Sequence, residues 1–285
     1  MKRKTIYIMV ATAIAALSLT SCIKDTLYHT PHPDKGCVMV SADFSARSAS
    51  ADAPAEYMLR CGTATPYTMP SAKEANYPEF LLPANYTFTA WNRCAKMSEA
   101  DGTISVERNA SGEIEPMPGY LFTARHEAEV IKDDTLRIAL PMAQRTRDVQ
   151  FELTVTEGNP ELIASVGGTL SGIAAAFSLA EQNVAGNAAT TRIAFVREGD
   201  KIKAAARLLG VIGTAQSLEL EVRFTDRADI HRATVDLSAA LARFDDDMTT
   251  TRMITGDLAT PIGMDLTATI TDWKNIKGDA DAELQ

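Results

Sequence analysis

Leu218-Glu219-Leu220-Glu221-Val222-Arg223-Phe224 alternates four large apolar side chains with three charged ones. On a helix this order would scatter the apolar groups around the axis. On a strand it puts all four on one face and both glutamates and the arginine on the other. The stretch therefore predicts a half-buried β-strand, one face on a core and one towards water.

The same period recurs outward from it. Ile202, Ala204, Ala206 and Leu208 alternate, as do Ile193 and Phe195, and Phe151, Leu153 and Val155 before the break at Gly158-Asn159-Pro160. Earlier in the chain Val38, Val40, Ala42 and Phe44 alternate, followed by Tyr86, Phe88 and Ala90, then Leu136, Ile138 and Leu140 closed by Pro141. Met264, Leu266, Ala268 and Ile270 predict the final strand, leading to Trp273. Helical candidates are short: residues 160–166, and residues 238–243, where Leu237, Leu241 and Phe244 would share a face. Gly167-Gly168 reads as a turn between strands. Many strands separated by Gly, Pro and Asn clusters predict an all-β chain of two tandem β-sandwiches, at residues 37–146 and 147–275.

The N-terminus has a different character. Lys2, Arg3 and Lys4 precede an uncharged stretch at residues 5–19, too short to span a bilayer comfortably and typical of a secretory signal. It ends in Leu19-Thr20-Ser21-Cys22, which resembles a bacterial lipobox. The expectation is a signal peptide at residues 1–21, acylation of Cys22, and a polar linker at residues 22–36 punctuated by Pro31 and Pro33. Loss of residues 1–21 takes the formal net charge from −9 to −12. Such a chain is a poor partner for nucleic acid, whose binding needs clustered Lys and Arg. Membrane affinity is expected from the acyl chains rather than from a basic patch.

Candidate chemistry is sparse. Cys37, Cys61 and Cys94 form no C-x-x-C pair, and their odd number leaves one disulfide or buried free thiols as the alternatives. His29 and His32 lie in the linker, apart from His126 and His231, so no metal site is expected. The run Asp245-Asp246-Asp247 is followed by Met248-Thr249-Thr250-Thr251, lacks the spacing of a calcium loop and reads as a solvated loop. Trp91 and Trp273 each close an alternating strand, where burial is expected in preference to sugar stacking. Neither a catalytic motif nor a Gly-rich phosphate loop is present, so no enzyme activity and no cofactor are expected.

Several segments together resemble one family. They are Cys22-Ile23-Lys24-Asp25-Thr26-Leu27-Tyr28-His29 and His32-Pro33-Asp34-Lys35-Gly36, then Leu82-Pro83-Ala84-Asn85-Tyr86-Thr87-Phe88-Thr89-Ala90-Trp91-Asn92, and Gly168-Thr169-Leu170-Ser171-Gly172, read as a turn. The chain is similar, over most of residues 22–275, to the fimbrillin-associated lipoproteins of Bacteroidales, which include the anchor subunits of type V fimbriae. The resemblance implies two transthyretin-like β-sandwiches, an outer-membrane location facing the surface, and fimbrial partners joined by β-strand addition. It also implies a choice. Shaft subunits lose their first strand by proteolysis after an arginine, whereas anchors keep that strand and their lipid.

Arg47 follows the strand of Val38, Val40, Ala42 and Phe44, and cleavage there would remove strand and lipid together. A shaft subunit also needs a long alternating C-terminal donor. The polar tail at residues 276–285 has only Ile276 and Leu284 as large apolar residues, which favours an anchor. Asp25-Thr26-Leu27 and Asp134-Thr135-Leu136 resemble the short O-glycan acceptor of this phylum. The competing expectation is a surface glycan-binding lipoprotein, which requires exposed clustered aromatics.

Overall fold

A computed structural model describes residues 28–259 and, for its backbone, β-strand residues 269–276. The signal peptide, Cys22, Asp25-Thr26-Leu27, the residues Met264, Leu266 and Ala268, and tail residues 277–285 lie outside the described residues.

The regular structure of the described residues is almost entirely β. The first ten strands are β1 (Cys37–Asp43), β2 (Glu56–Cys61), β3 (Tyr67–Pro70), β4 (Ala75–Asn76), β5 (Ala84–Trp91), β6 (Met97–Ala100), β7 (Thr103–Val106), β8 (Phe122–Val130), β9 (Thr135–Pro141) and β10 (Ala143–Gln144). Then come β11 (Arg147–Glu157), β12 (Ile163–Ser178), β13 (Asn183–Glu198), β14 (Lys201–Leu208), β15 (Ser217–Phe224), β16 (Ile230–Asp236), β17 (Arg252–Ala259) and β18 (Thr269–Ile276). The deciding stretch is β15, and its Leu218, Leu220, Val222 and Phe224 are all buried.

Two sheets, in the orders β4-β1-β9 and β10-β8-β5-β2-β3, close on a core that holds Val38 and Val40 from one and Leu59, Phe88 and Phe122 from the other. A third, ten-stranded sheet runs β16-β15-β12-β13-β14-β11-β17-β18, with β7 on β12 and β6 on β7. It curls around a second core because β13 changes partner along its length. Its earlier part pairs with β12, whereas Val196, Arg197 and Glu198 pair with Lys203, Ile202 and Lys201 of β14. Ile104 and Val106 of β7, together with Met58, Trp91, Ile114 and Leu121, belong to this second core although they precede residue 146.

Among the described residues two strand pairs depart from the antiparallel rule. β1 runs parallel to β9, and β11 runs parallel to β17. Each half of the chain thus opens with a strand that pairs with a much later one, which demands a crossover rather than a hairpin.

Three local readings are corrected. Gly167 and Gly168 do not turn the chain; they lie inside β12, and so does the stretch read as a Gly168–Gly172 turn. Glycine serves packing at 168, where a Cβ would sit 2.8 Å from Phe195 and 3.0 Å from Leu218. At 172 it serves a bulge: φ is +75° and the register shifts between Ser171 and Ile173. Of residues 160–166 only Pro160–Leu162 form a single 3-10 turn, capped by Asn159, before β12 begins. Residues 238–243 form turns, although Leu237, Leu241 and Phe244 are buried together; a 3-10 turn follows at Phe244–Asp246. In both cases tertiary burial of a few apolar residues needs no helix to achieve it.

Candidate assembly interface

β1 is the central strand of its sheet. It pairs with β9 over seven positions, from Cys37 opposite Thr135 to Asp43 opposite Pro141. On its other side β4 covers only Met39 and Val40. Val38 and Val40 are fully buried, Ala42 is half-buried, and Phe44 packs edge-on against Phe122 with ring centroids 5.4 Å apart. Each fully buried side chain of this size contributes about 1.5–3 kcal/mol. Withdrawal of β1 would uncover the apolar floor beneath it and the hydrogen-bonding edge of β9.

Arg47 lies on the exposed turn that follows. Its guanidinium donates to the carbonyls of Phe44 (3.1 Å) and Ala51 (2.9 Å), and its N–H donates to Phe44 O. The next residue changes environment abruptly. Ser48 is buried, and its N–H donates to Gln144 Oε1 at 2.9 Å. Gln144 in turn donates through Nε2 to the carbonyls of Thr146 and Met248, both at 2.8 Å.

Ser50 Oγ lies 2.7 Å from Tyr120 Oη, and Tyr120 donates to Asp148. Arg207 pairs with Asp148 at 2.7 Å while its guanidinium sits 3.6 Å over the Tyr120 ring. The chain behind Arg47 is therefore fastened to Gln144 of β10, to Tyr120 and to Asp148 of β11, whereas the chain before it belongs to β1. Sequence reading missed this network; the only signal available was the polar run Arg145-Thr146-Arg147-Asp148 between apolar strands. Arg147 is buried there, and donates to Phe244 O and Thr250 O.

The linker is more structured than a polar tether. The N–H groups of His29 and Thr30 both donate to the Asp133 carboxylate at 2.7 Å, and the His32 ring stacks on Phe80 at 4.5 Å. Gly36 exchanges two backbone hydrogen bonds with Leu81. Residues 28–36 are thus laid against the end of the first sandwich.

The remaining candidates are dispersed. His126 is exposed on β8 and His231 packs against Phe224, and no group of three metal-ligating side chains occurs among the described residues. Asp247 accepts from the Thr249 and Thr250 N–H groups, so the acidic run caps a turn. Those bonds, with the Thr250 side chain first, hold its carboxyl well below the usual range. Trp91 is buried, with the Arg60 guanidinium 5.4 Å over its ring. Trp273 lies on β18. Cys37, Cys61 and Cys94 are free thiols, and burial pushes Cys61 and Cys94 up to about 11. Thr135, of the second glycan-acceptor pattern, opens β9 and is half-buried. No helix among the described residues is long and apolar enough to cross a membrane.

No curated relative matches the sequence. Solved structures share the fold at low identity. A candidate adhesin from Bacteroides ovatus superposes with a TM-score of 0.61 at 11% identity, covering 86% of this chain and 96% of that one. The fimbrial anchor protein Mfa2 from Porphyromonas gingivalis gives 0.60 at 13%, covering 85% and 97%. A candidate polysaccharide-binding protein from Bacteroides thetaiotaomicron gives 0.54 at 10%, covering 87% and 99%. The family model for the fimbrillin-A associated anchor proteins Mfa1 and Mfa2 matches residues 60–277. By that match, over most of its length, the chain belongs to the fimbrillin-A associated anchor protein family.

Proposed function

We propose that this fimbrial anchor-family protein is a permanently lipidated subunit that keeps β1 and holds other fimbrial subunits at the outer membrane by β-strand addition. The observation that carries this reading is the integration of β1, whose two valines are fully buried and whose parallel ladder to β9 runs its whole length. A strand so held supports retention of β1 as part of its sandwich. Cys22 would carry the lipid, residues 22–36 the connection, and residues 37–146 and 147–275 the two sandwiches. Arg47 then serves as a turn residue that binds the carbonyls around it. The family is one of structural anchor proteins, and we assign no catalysis.

Replacement of Cys22 by Ala tests the anchoring role. The expected result is loss of the protein from the membrane fraction and release of intact fimbriae into the medium. Fimbriae that stay cell-bound in that variant would contradict it.

A further inference from the structure

Large apolar side chains are concentrated at one end of the first sandwich. Tyr28, Phe80, Leu82 and Ile131 are each more than half exposed there. Their proximity follows from the pairing. Ala84 at the start of β5 lies opposite Val130 at the end of β8, which puts Leu82 and Ile131 at the same end. Gly36 bridges Leu81, the Phe80 ring stacks on His32, and Tyr28 adjoins the His29 amide bound to Asp133. Large exposed apolar side chains gathered at one end of a domain point to a contact surface.

We propose that this pole rests on the lipid bilayer, with Tyr28, Phe80, Leu82 and Ile131 in the interfacial layer. The inference builds on the acylation of Cys22 and deepens it. Cys22 precedes Tyr28 by six residues. Whatever path they take, six residues reach at most about 20 Å. Tyr28 is in turn fixed to the pole through the bonds that its neighbours make with Asp133. A 100-residue domain has a radius of gyration of about 13 Å, so a second folded subunit does not fit between the pole and the membrane. Exposed Lys35 and Lys132 are outnumbered by the carboxylates of Asp34, Asp133, Asp134 and Glu79, so the surface is not basic and its attraction to lipid is apolar. Aromatic and aliphatic groups presented in this way suit the headgroup boundary.

The test uses the lipidated full chain reconstituted into phosphatidylcholine vesicles with brominated acyl chains. Leu82→Trp changes an exposed position; Val196→Trp, equally exposed on β13, is the control. The expected result is that the Leu82→Trp variant loses roughly half its added emission to the brominated lipid while the control does not. Adding Phe80→Ser and Ile131→Ser should bring the loss down to the control level. Equal quenching of both variants on vesicle-bound, lipidated protein would overturn the contact while leaving the anchor intact. Protection of the Leu82→Trp variant from both bromolipid and aqueous acrylamide would overturn it in favour of a second copy on the pole. An N-terminal peptide whose mass shows unmodified Cys22 would remove the tether, and with it both the anchor reading and this one.

Discussion

The Ser48 N–H donates to the side chain of buried Gln144. This hydrogen bond of 2.9 Å joins the loop behind β1 to a glutamine that also holds the carbonyls of neighbouring Thr146 and of Met248, from a distant part of the chain. Gln144 is buried, so none of these bonds is readily exchanged for water. β1 before Ser48 is held by its pairing with β9, and Ser48 itself by this polar junction.

Gln144→Ala leaves a buried N–H and two carbonyls without their partner. The expected cost is about 2–4 kcal/mol, because buried polar groups that lose a partner carry their full desolvation penalty. Urea denaturation of the soluble Cys22→Ala protein measures it, and a loss below about 0.5 kcal/mol would show that the junction is replaceable.

Gly167 and Gly168 separate packing from backbone freedom in adjacent residues. A Cβ at 167 meets nothing within 4 Å, whereas one at 168 presses on Phe195, Leu218 and Leu220. Gly167→Ala should be neutral or stabilising by about 0.5 kcal/mol. Gly168→Ala should destabilise by about 1–3 kcal/mol through overpacking. Thermal melts of the two variants, side by side, decide it.

The clamp on the linker depends on pH. The His29 backbone N–H, with further donors on Thr30, holds the Asp133 carboxyl below its ordinary value. A depressed carboxyl stabilises the fold fully above the unfolded value of about 3.9, and that contribution is lost as pH falls through the lower folded value. Residues 28–36 should therefore stay docked at neutral pH and loosen only below about pH 4. NMR titration of the Asp133 carboxyl, followed together with the His29 and Thr30 amides, checks both midpoint and sign. Coincident movement at or above the ordinary value would contradict the clamp.

The thiols should differ in reactivity. Cys37 and Cys94 are both half-buried and Cys61 is buried, and desolvation raises Cys61 and Cys94 to about 11 and suppresses their thiolates. At pH 8 one thiol of residues 28–259 should react promptly with an aromatic disulfide reagent and two slowly, until denaturant equalises them. Prompt reaction of Cys61 would mean that the first core opens readily.

Strand positions were legible because alternation is a local property: β15 could be read from seven residues. Partner choice was not. The parallel pairing of β1 with β9 and of β11 with β17 joins segments about a hundred residues apart, and nothing in either strand encodes its direction relative to the other. Glycines misled for a related reason. At Gly168 the residue answers to Phe195 and Leu218 across the core, yet in sequence it looks like any turn. In the candidate interface, the apolar face of β1 could be read from sequence. The Gln144 junction could not, since a buried glutamine is recognisable only once its partners are in place. The same holds for the linker: its polar composition suggested a tether, while its fastening to Asp133 is a tertiary event.

The central claim is that the mature protein keeps its lipid and β1. Intact-mass and N-terminal peptide analysis of the protein extracted from assembled fimbriae tests it most directly. The predicted result is one species beginning at acylated Cys22 with the Arg47–Ser48 bond uncut. A species beginning at Ser48, with residues 22–47 gone, would contradict it.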